Sequence, residues 1–198
     1  MIPLNLQTLL SSDRLANIIR YSELVKSLEG DVAEFGVFRG GTLELLAHLH
    51  PNKTVWGIDS FQGLPPAGPK DNYHKAGDFK EVDYDAIYGY FKIMALNVEL
   101  IQGFSPGVFN HLHPHKKYRF VHIDVDLYQS VKDGLDYFYP RMINGGVILL
   151  DDYGFESTEG AKFAVNKFIE NLTEFPQFHG ELKYYENGPS HKQYLIVI

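Results

Sequence analysis

The apolar positions of the 198-residue chain follow two alternating patterns. Short, mostly apolar runs, which are typical of buried strands, recur between longer segments whose apolar residues lie three or four positions apart, as on one face of a helix. This alternation favours an α/β fold in which parallel strands form one sheet. The predicted strands span residues 32–36, 54–58, 98–102, 120–124 and 146–150, and the predicted helices span about 12–30, 42–50, 82–96, 127–141 and 158–172.

The end of the chain follows a different pattern. Two further predicted strands, residues 182–185 and 194–198, are joined by a short link that contains Asn187, Gly188 and Pro189. Such a link has no room for a crossover helix, so these strands are expected to pair antiparallel. We therefore predict one domain over residues 1–198, a doubly wound, mostly parallel seven-stranded sheet with helices on both faces and an antiparallel C-terminal hairpin. An N-terminal helix within residues 1–30 opens this domain.

A long turn-rich segment, residues 60–80, follows the second predicted strand. It contains Pro65, Pro66 and Pro69. Long loops inside compact domains are commonly functional. We therefore interpret this segment as a lid-like loop over a binding site.

The composition excludes several kinds of site and partner. The chain contains no cysteine, which excludes disulfides, thiolate zinc sites, iron–sulfur clusters and cysteine nucleophiles. Its formal net charge of −7, without a long basic run, disfavours nucleic acid as a partner. No apolar run approaches the ~20 residues that span a bilayer, and the first residues lack a secretory-signal pattern. We expect a cytoplasmic protein without membrane contact.

The residues that follow the first two strands indicate a nucleotide-like ligand. Ligands of open α/β sheets bind at the carboxyl ends of the strands. A glycine-containing turn that begins at Gly36 follows the first strand, and Asp59 follows the second. Glycines let a backbone approach a ligand closely, and an acid in this place can accept ribose hydroxyls. Together they favour a cofactor that contains adenosine, although a tight turn and a turn-capping acid would give the same pattern.

Carboxylates follow the fourth and fifth strands. Asp124 and Asp126 come after the fourth strand, and Asp151 and Asp152 after the fifth. Like charges at one rim are costly unless a cation offsets them. All-oxygen ligands suit Mg²⁺, Ca²⁺ or Mn²⁺. The alternative is a set of solvated carboxylates that cap helices.

Five of the nine histidines fall into three groups. His111, His113 and His115 alternate beside two lysines, which we interpret as a hydrated surface loop rather than a metal site. His122 lies inside the fourth strand and is interpreted as a packed core residue. His74 lies in the long loop and would reach the rim if that loop closes, the alternative being an exposed loop residue.

In their order along the chain, these residues resemble the class I S-adenosylmethionine-dependent methyltransferases, and more narrowly the macrocin O-methyltransferase family of sugar O-methyltransferases. The matching stretches are EFGVFRGGT at 34–42, GIDSFQGLP at 57–65, GFS at 103–105, HIDVDLYQS at 122–130 and GGVILLDDYG at 145–154. The resemblance implies the Rossmann-like class I methyltransferase fold, in which the last strand of the sheet is reversed.

The resemblance also implies a set of residues around S-adenosylmethionine. It places the methionine end beside the glycine turn, the ribose beside the acid after the second strand, and the adenine beside the segment after the third strand. The expected cofactor-binding residues are Glu34, Gly36, Arg39, Gly40, Thr42, Asp59, Ser60, Phe104, Ser105 and Asp124.

The resemblance further implies that Asp124, Asp151 and Asp152 bind Mg²⁺ or Mn²⁺. A general base must take the proton of the acceptor hydroxyl, and the unperturbed pKa of histidine, ≈ 6.5, suits this task. We expect His74 to be that base, with Asp126 as the alternative. The expected catalytic residues are therefore His74, Asp124 and Asp126.

The function expected from this resemblance is a magnesium-dependent O-methyltransferase that acts on a small, sugar-containing molecule, with a homodimer left open. A nicotinamide-dependent oxidoreductase on a similar sheet is one alternative, although the chain lacks the GxGxxG motif of that class. A non-catalytic module that binds the cofactor is another. The sequence does not identify the methyl acceptor.

Overall fold

The computed structural model describes residues 4–173, 181–186 and 192–198. Each predicted strand is present, although its ends differ from the predicted ones by a few residues. The strands are β1 (Asp31–Phe35), β2 (Val55–Asp59), β3 (Val98–Gln102), β4 (Tyr118–Ile123), β5 (Met142–Leu150), β6 (Glu181–Glu186) and β7 (Lys192–Val197). The predicted link between the last two strands falls largely on residues 187–191, which lie outside the described residues.

The seven strands form one sheet in the order β3-β2-β1-β4-β5-β7-β6. All neighbours from β3 to β5 are parallel, whereas β7 runs antiparallel to both β5 and β6. This confirms the predicted doubly wound sheet with a reversed C-terminal hairpin. The strand order changes direction between β1 and β4, so the loops after these two strands diverge and leave a crevice at their carboxyl ends.

Helices cover both faces of the sheet. The helices are α1 (Ser12–Leu24), α2 (Gly41–Leu49), α3 (Tyr84–Ile93), α4 (Tyr128–Phe138) and α5 (Glu159–Thr173). Apolar residues of α1, α2 and α3 form a core with Val32 and Phe120 on one face. Residues of α4 and α5 form a second core with Ala33 and Val121 on the other. Successive strand residues thus point to opposite faces, as the pleat requires.

The N-terminal helix begins at the predicted residue, Ser12, but is shorter than predicted. Helix α1 ends at Leu24, and residues 4–11 form neither helix nor strand. The buried carboxylate of Glu44 in α2 holds this segment, because it accepts hydrogen bonds from the backbone N–H groups of Asn5 and Leu6 at 2.9 and 2.8 Å. The backbone of Gly41 donates to the carbonyl of Gln7 at 3.1 Å. The segment is therefore fixed across the beginning of α2, which the helix-period pattern alone did not predict.

The segment 60–80 contains no helix or strand, as the turn-rich sequence predicts. Among the described residues, no helix combines the length and the apolar character needed to cross a bilayer.

Candidate active site

A cavity of about 290 Å³ opens at the carboxyl ends of β1 and β4. Residues 7–10 of the N-terminal segment and part of the loop 60–80 complete its wall. The residues predicted to bind the cofactor contribute most of the wall on the β1 to β3 side. Those that line the cavity are Glu34, Gly36, Thr42, Asp59, Ser60, Phe104 and Ser105.

Three predicted residues lie outside this wall. The Arg39 side chain packs on the Phe38 ring and donates to the Gln7 side chain. Gly40 faces Leu6 and Ile87 rather than the cavity. Asp151 is completely buried behind the wall. Arg39 and Gly40 are therefore placed to hold the N-terminal segment, and Asp151 is placed below the site.

The turn after β1 approaches β4 closely. Gly36 has φ +97°, and a Cβ there would overlap the carbonyl oxygen of Asp124. A side chain at this position would therefore push the two strands apart where the crevice begins. Glycine is therefore required at position 36, because a side chain would collide with the backbone of Asp124. The sequence pattern indicated a glycine turn but did not predict this contact.

Asp59 fixes the same turn from β2. Its Oδ2 accepts hydrogen bonds from the backbone N–H groups of Val37 and Phe38 at 2.7 and 2.9 Å, and its Oδ1 accepts one from Phe61 at 2.7 Å. A carboxylate offers about four acceptor positions. The Asp59 side chain therefore organises the cavity wall and has about one position left for a ligand hydroxyl.

The acids after β4 and β5 meet at one end of the cavity. Ligand oxygens of Asp124, Asp151 and Asp152 lie within 4.8 Å of one another, the one such group of three or more found among the described residues. Burial, and after it the neighbouring carboxylates, raises the pKa of both Asp124 and Asp152. The cluster holds more negative charge than its surroundings compensate. Its chemistry, oxygen donors alone at high charge density, fits a hard divalent cation such as Mg²⁺.

Asp126 adjoins this cluster in an unusual conformation. Its backbone N–H donates to Asp152 Oδ2 at 2.8 Å, and its φ of +58° is in the left-handed region that non-glycine residues rarely adopt. Burial and the charge of Asp152 raise the pKa of Asp126. Strained residues of this kind cluster at functional sites.

His74 reaches this end of the cavity from the loop 60–80. Its Nε2 lies 3.5 Å from Asp126 Oδ1, and its Nδ1 lies 3.4 Å from Asp78 Oδ2. Only 10% of its side chain is exposed. The structure therefore brings the two candidate bases into contact, whereas His111, His113 and His115 are exposed and do not line the cavity.

A row of buried polar side chains lies beneath the cavity, on the sheet face that α1 covers. His122 Nδ1 lies 3.1 Å from Glu34 Oε1, and His122 Nε2 lies 3.8 Å from Asp151 Oδ1. Arg14 of α1 forms an ion pair with Asp151 Oδ2, and Gln193 of β7 donates to Asp151 Oδ1 at 2.6 Å. These side chains connect β1, β4, β5, β7 and α1 in one network.

The charges of this row compensate one another. Burial alone would lower the pKa of His122, but Asp151 and Glu34 raise it to about 10, so the imidazole is cationic at neutral pH. Burial would raise the pKa of Asp151, but His122 and Arg14 lower it below its usual range. Glu34, whose pKa burial raises to about 7, retains an Oε2 atom without a hydrogen-bond partner among the described residues.

The complete burial of His122 confirms its interpretation as a packed core residue. Its contacts with Glu34 and Asp151, and the role of Arg14, were not predicted from the sequence. The alternation along a strand did offer a signal for one contact, since His122 and Glu34 are paired on neighbouring strands. Arg14 had none, since it is 137 positions from Asp151 and lies on a helix with the pattern of an ordinary amphipathic surface.

Residues 2–174 match the model of the macrocin-O-methyltransferase (TylF) family. Among solved structures, the O-methyltransferase NovP superposes with a TM-score of 0.78 at 25% sequence identity, covering 96% of this chain and 81% of that one. The fold of the chain and the order of its sequence motifs thus both agree with this family over most of the chain.

Two curated relatives from Streptomyces are similar in sequence. The demethyldecarbamoylnovobiocin O-methyltransferase of Streptomyces niveus is 33% identical, over 76% of this chain and 64% of that protein. The 8-demethyl-8-(2,3-dimethoxy-alpha-L-rhamnosyl)-tetracenomycin-C 4'-O-methyltransferase of Streptomyces olivaceus is 29% identical, over 78% of this chain and 65% of that protein. The chain thus spans less than two thirds of the length of these relatives.

The Arg14–Asp151 ion pair leads to a prediction about stability. Arg14→Met leaves the buried Asp151 without its strongest cation, and breaking such a pair typically costs ~3–5 kcal/mol. We expect the free energy of unfolding, measured by urea titration at neutral pH with a chelator present, to fall by about 3 kcal/mol. Arg20→Met, on the exposed side of the same helix, is the matched control. Equal and small losses in both variants would show that the ion pair does not stabilise the fold.

Proposed function

Since the chain belongs to the macrocin-O-methyltransferase (TylF) family, we propose that it transfers a methyl group from S-adenosylmethionine to a hydroxyl group of a small, sugar-containing molecule, with Mg²⁺ or Mn²⁺ as a required ion. One observation carries this proposal. A single cavity at the junction of β1 and β4 brings together the acid cluster, His74 and the orphan Glu34 oxygen.

Polar and apolar groups of the cavity wall match different parts of S-adenosylmethionine. The buried Glu34 Oε2 atom lacks a partner among the described residues and suits the ammonium group at the methionine end. Asp59 has an acceptor position left for a ribose hydroxyl, with Ser60 beside it. Phe104, 42% exposed at the other end of the wall, offers an apolar surface for a flat ring. These residues would hold S-adenosylmethionine along the ends of β1, β2 and β3.

The acid cluster fits a divalent cation, with one difference from the expected ligand set. Asp124 and Asp152 line the cavity, whereas Asp151 lies behind it with partners on both of its oxygens. Asp124 and Asp152 would therefore offer their oxygens to the ion directly. Asp151 would contribute through a remaining lone pair, and its charge would remain offset by Arg14 and His122.

The residues of the chain would then orient the acceptor and take its proton. When bound, S-adenosylmethionine supplies an electrophilic methyl group, and a divalent cation supplies charge that favours ionisation of a hydroxyl. His74 would accept the hydroxyl proton, and Asp126, 3.5 Å from its Nε2, would orient the ring and stabilise the imidazolium. The N-terminal segment and the loop 60–80 would limit the access of water.

The acceptor class rests on the relatives. The name of the Streptomyces olivaceus relative describes methylation of a tetracenomycin that carries a rhamnosyl group. A carbohydrate carries adjacent hydroxyl groups, which are the kind of oxygen pair that a hard cation binds. We propose an acceptor with a sugar diol and do not extend the proposal to a particular natural product.

The two alternatives from the sequence are less well supported. The family match favours methyl transfer and gives no support to a nicotinamide-dependent oxidoreductase. A non-catalytic module would need neither the acid cluster nor a histidine held beside it. Turnover distinguishes that alternative from the proposal.

We expect methyl transfer to require a divalent cation. A panel of glycosylated diols is incubated with S-adenosylmethionine and Mg²⁺ or Mn²⁺, and a mass gain of one methyl group is measured. Excess chelator should abolish the product and added metal should restore it, because the cation favours ionisation of the hydroxyl. Asp152→Asn should lower turnover much more than cofactor affinity, with the exposed Asp136→Asn as control. Full activity in excess chelator would contradict the metal requirement, and no product from any diol would contradict the function.

Asp59 is expected to contribute to cofactor affinity. Hydrogen bonds to charged groups contribute ~1.5–3 kcal/mol, so Asp59→Asn should weaken S-adenosylmethionine binding by about 2 kcal/mol, or roughly 30-fold. Calorimetric titration measures this change, and Asp85→Asn, an exposed carboxylate at the start of α3, is the control. Unchanged affinity in Asp59→Asn would remove the ribose assignment and leave Asp59 with the turn alone.

His74 is expected to be the general base. Removal of such a group typically lowers turnover ~10²–10⁴-fold. A base must be unprotonated to act, so wild-type turnover should fall at acidic pH, and His74→Ala should lose this acidic limb. The exposed His113→Ala is the control. If His74→Ala keeps wild-type turnover and the acidic limb while Asp126→Asn loses both, Asp126 is the base instead.

A further inference from the structure

The two ends of the loop 60–80 are tied together by backbone hydrogen bonds. The N–H of Leu64 donates to the carbonyl of Asp78 at 2.8 Å, and the N–H of Gly77 donates to the carbonyl of Leu64 at 2.9 Å. The residues between them therefore form a closed loop rather than an extended arm. The orientation of this loop depends on the contacts of its tip, Lys70 and Asp71.

Asp71 attaches the tip of the loop to α4. Its Oδ1 accepts a hydrogen bond from the backbone N–H of Tyr128, the first residue of α4, at 2.8 Å. Its Oδ2 accepts one from Gly68 at 3.0 Å, which closes a turn within the loop. A carboxylate at a helix N-terminus satisfies a free N–H group and interacts favourably with the helix dipole.

Helix α5 provides a matching recess at Gly160. A Cβ at this position would overlap Asp71 Oδ1 and come within 3.1 Å of the carbonyl oxygen of Lys70. The neighbouring Lys70 ammonium lies 3.3 Å from the ring centroid of Phe163 in α5 and 4.8 Å from that of Tyr128 in α4. The tip thus fits between the two helices, with a hydrogen bond to α4 and cation–π contacts to both helices.

This attachment lies next to the residues that would remove the proton. Tyr128, which holds Asp71, is two positions after Asp126, and His74 is three positions after Asp71. The same short loop therefore joins the start of α4 to the imidazole that contacts Asp126. A shift of the tip away from α4 would move His74 from its contact 3.5 Å from Asp126 Oδ1.

We propose that Asp71, seated against Gly160, is a positioning residue that keeps the loop 60–80 closed and holds His74 against Asp126. The catalytic part of this inference rests on the proposed function, in which His74 takes the acceptor proton. The structural part does not, because it concerns only where the loop is held. Asp71 itself does not line the cavity.

The chain offers a matched pair of glycine substitutions. Gly160→Ala places a methyl group against Asp71, whereas Gly89→Ala, in the middle of α3, meets no atom within 4 Å. Both changes replace glycine by a better helix former, so neither is expected to weaken its own helix. Any difference between the two variants in how readily the loop opens then reports the contact with Asp71. Asp71→Asn, which keeps the shape of the side chain but loses its charge, is a second variant.

The first measurement does not depend on activity. Modification of His74 by diethylpyrocarbonate is followed by peptide mass spectrometry, with the exposed His113 and His115 as internal references. We expect His74, of which 10% is exposed, to react about tenfold faster in Gly160→Ala and in Asp71→Asn, because local opening of the loop exposes it. Gly89→Ala should match the wild type. Equal His74 rates in all four proteins would overturn the proposed attachment.

The second measurement concerns the reaction. Misplacing a catalytic group by about 1 Å can cost ~10²-fold, so kcat for methyl transfer should fall by about that factor in Gly160→Ala, with S-adenosylmethionine affinity unchanged. Unchanged kcat together with faster His74 modification would overturn the positioning role. If the wild type transfers no methyl group, the proposed function fails, and the His74 modification rates still decide whether Asp71 holds the loop.

Discussion

The buried row of Glu34, His122 and Asp151 is the constraint on which the rest of the site depends. It lies at the carboxyl ends of the central strands, where burial makes an isolated charge costly. His122 compensates both carboxylates, and Arg14 compensates Asp151 a second time. Because Arg14 belongs to α1, the same interaction that neutralises the row also fixes the helix that follows the N-terminal segment.

The position of the cavity follows from this arrangement. The Arg14 guanidinium also donates to the carbonyl of Leu9 at 3.0 Å, and Leu9 lines the cavity. The N-terminal segment is therefore held from one side by Arg14 and from the other by Glu44. On the opposite side, the loop 60–80 is held by Asp71. Two chain segments distant in sequence thus enclose one cavity whose floor is the end of the sheet.

The distribution of charge separates two tasks within the cavity. Around β1 and β2, nearly every acceptor of Asp59 is already occupied by backbone N–H groups, so this part is rigid and has few positions open for a ligand. Around β4 and β5, burial and, after it, the neighbouring carboxylates raise the pKa of Asp124, Asp126 and Asp152. The first region is suited to recognising a ligand and the second to binding a cation and moving a proton.

The strands, the fold class, the glycine turn and the rim acids could all be predicted from the amino-acid sequence, because burial periodicity and turn chemistry are local and strand ends meet at one edge of a parallel sheet. The position of His74 in the long loop also led to the prediction that it reaches the rim. The ion pair between Arg14 and Asp151, the hydrogen bonds of Asp59 to the β1 turn and the fit of Asp71 against Gly160 became visible in the folded structure alone. Those contacts join residues far apart in the chain, and which of them meet depends on how the helices pack on the sheet.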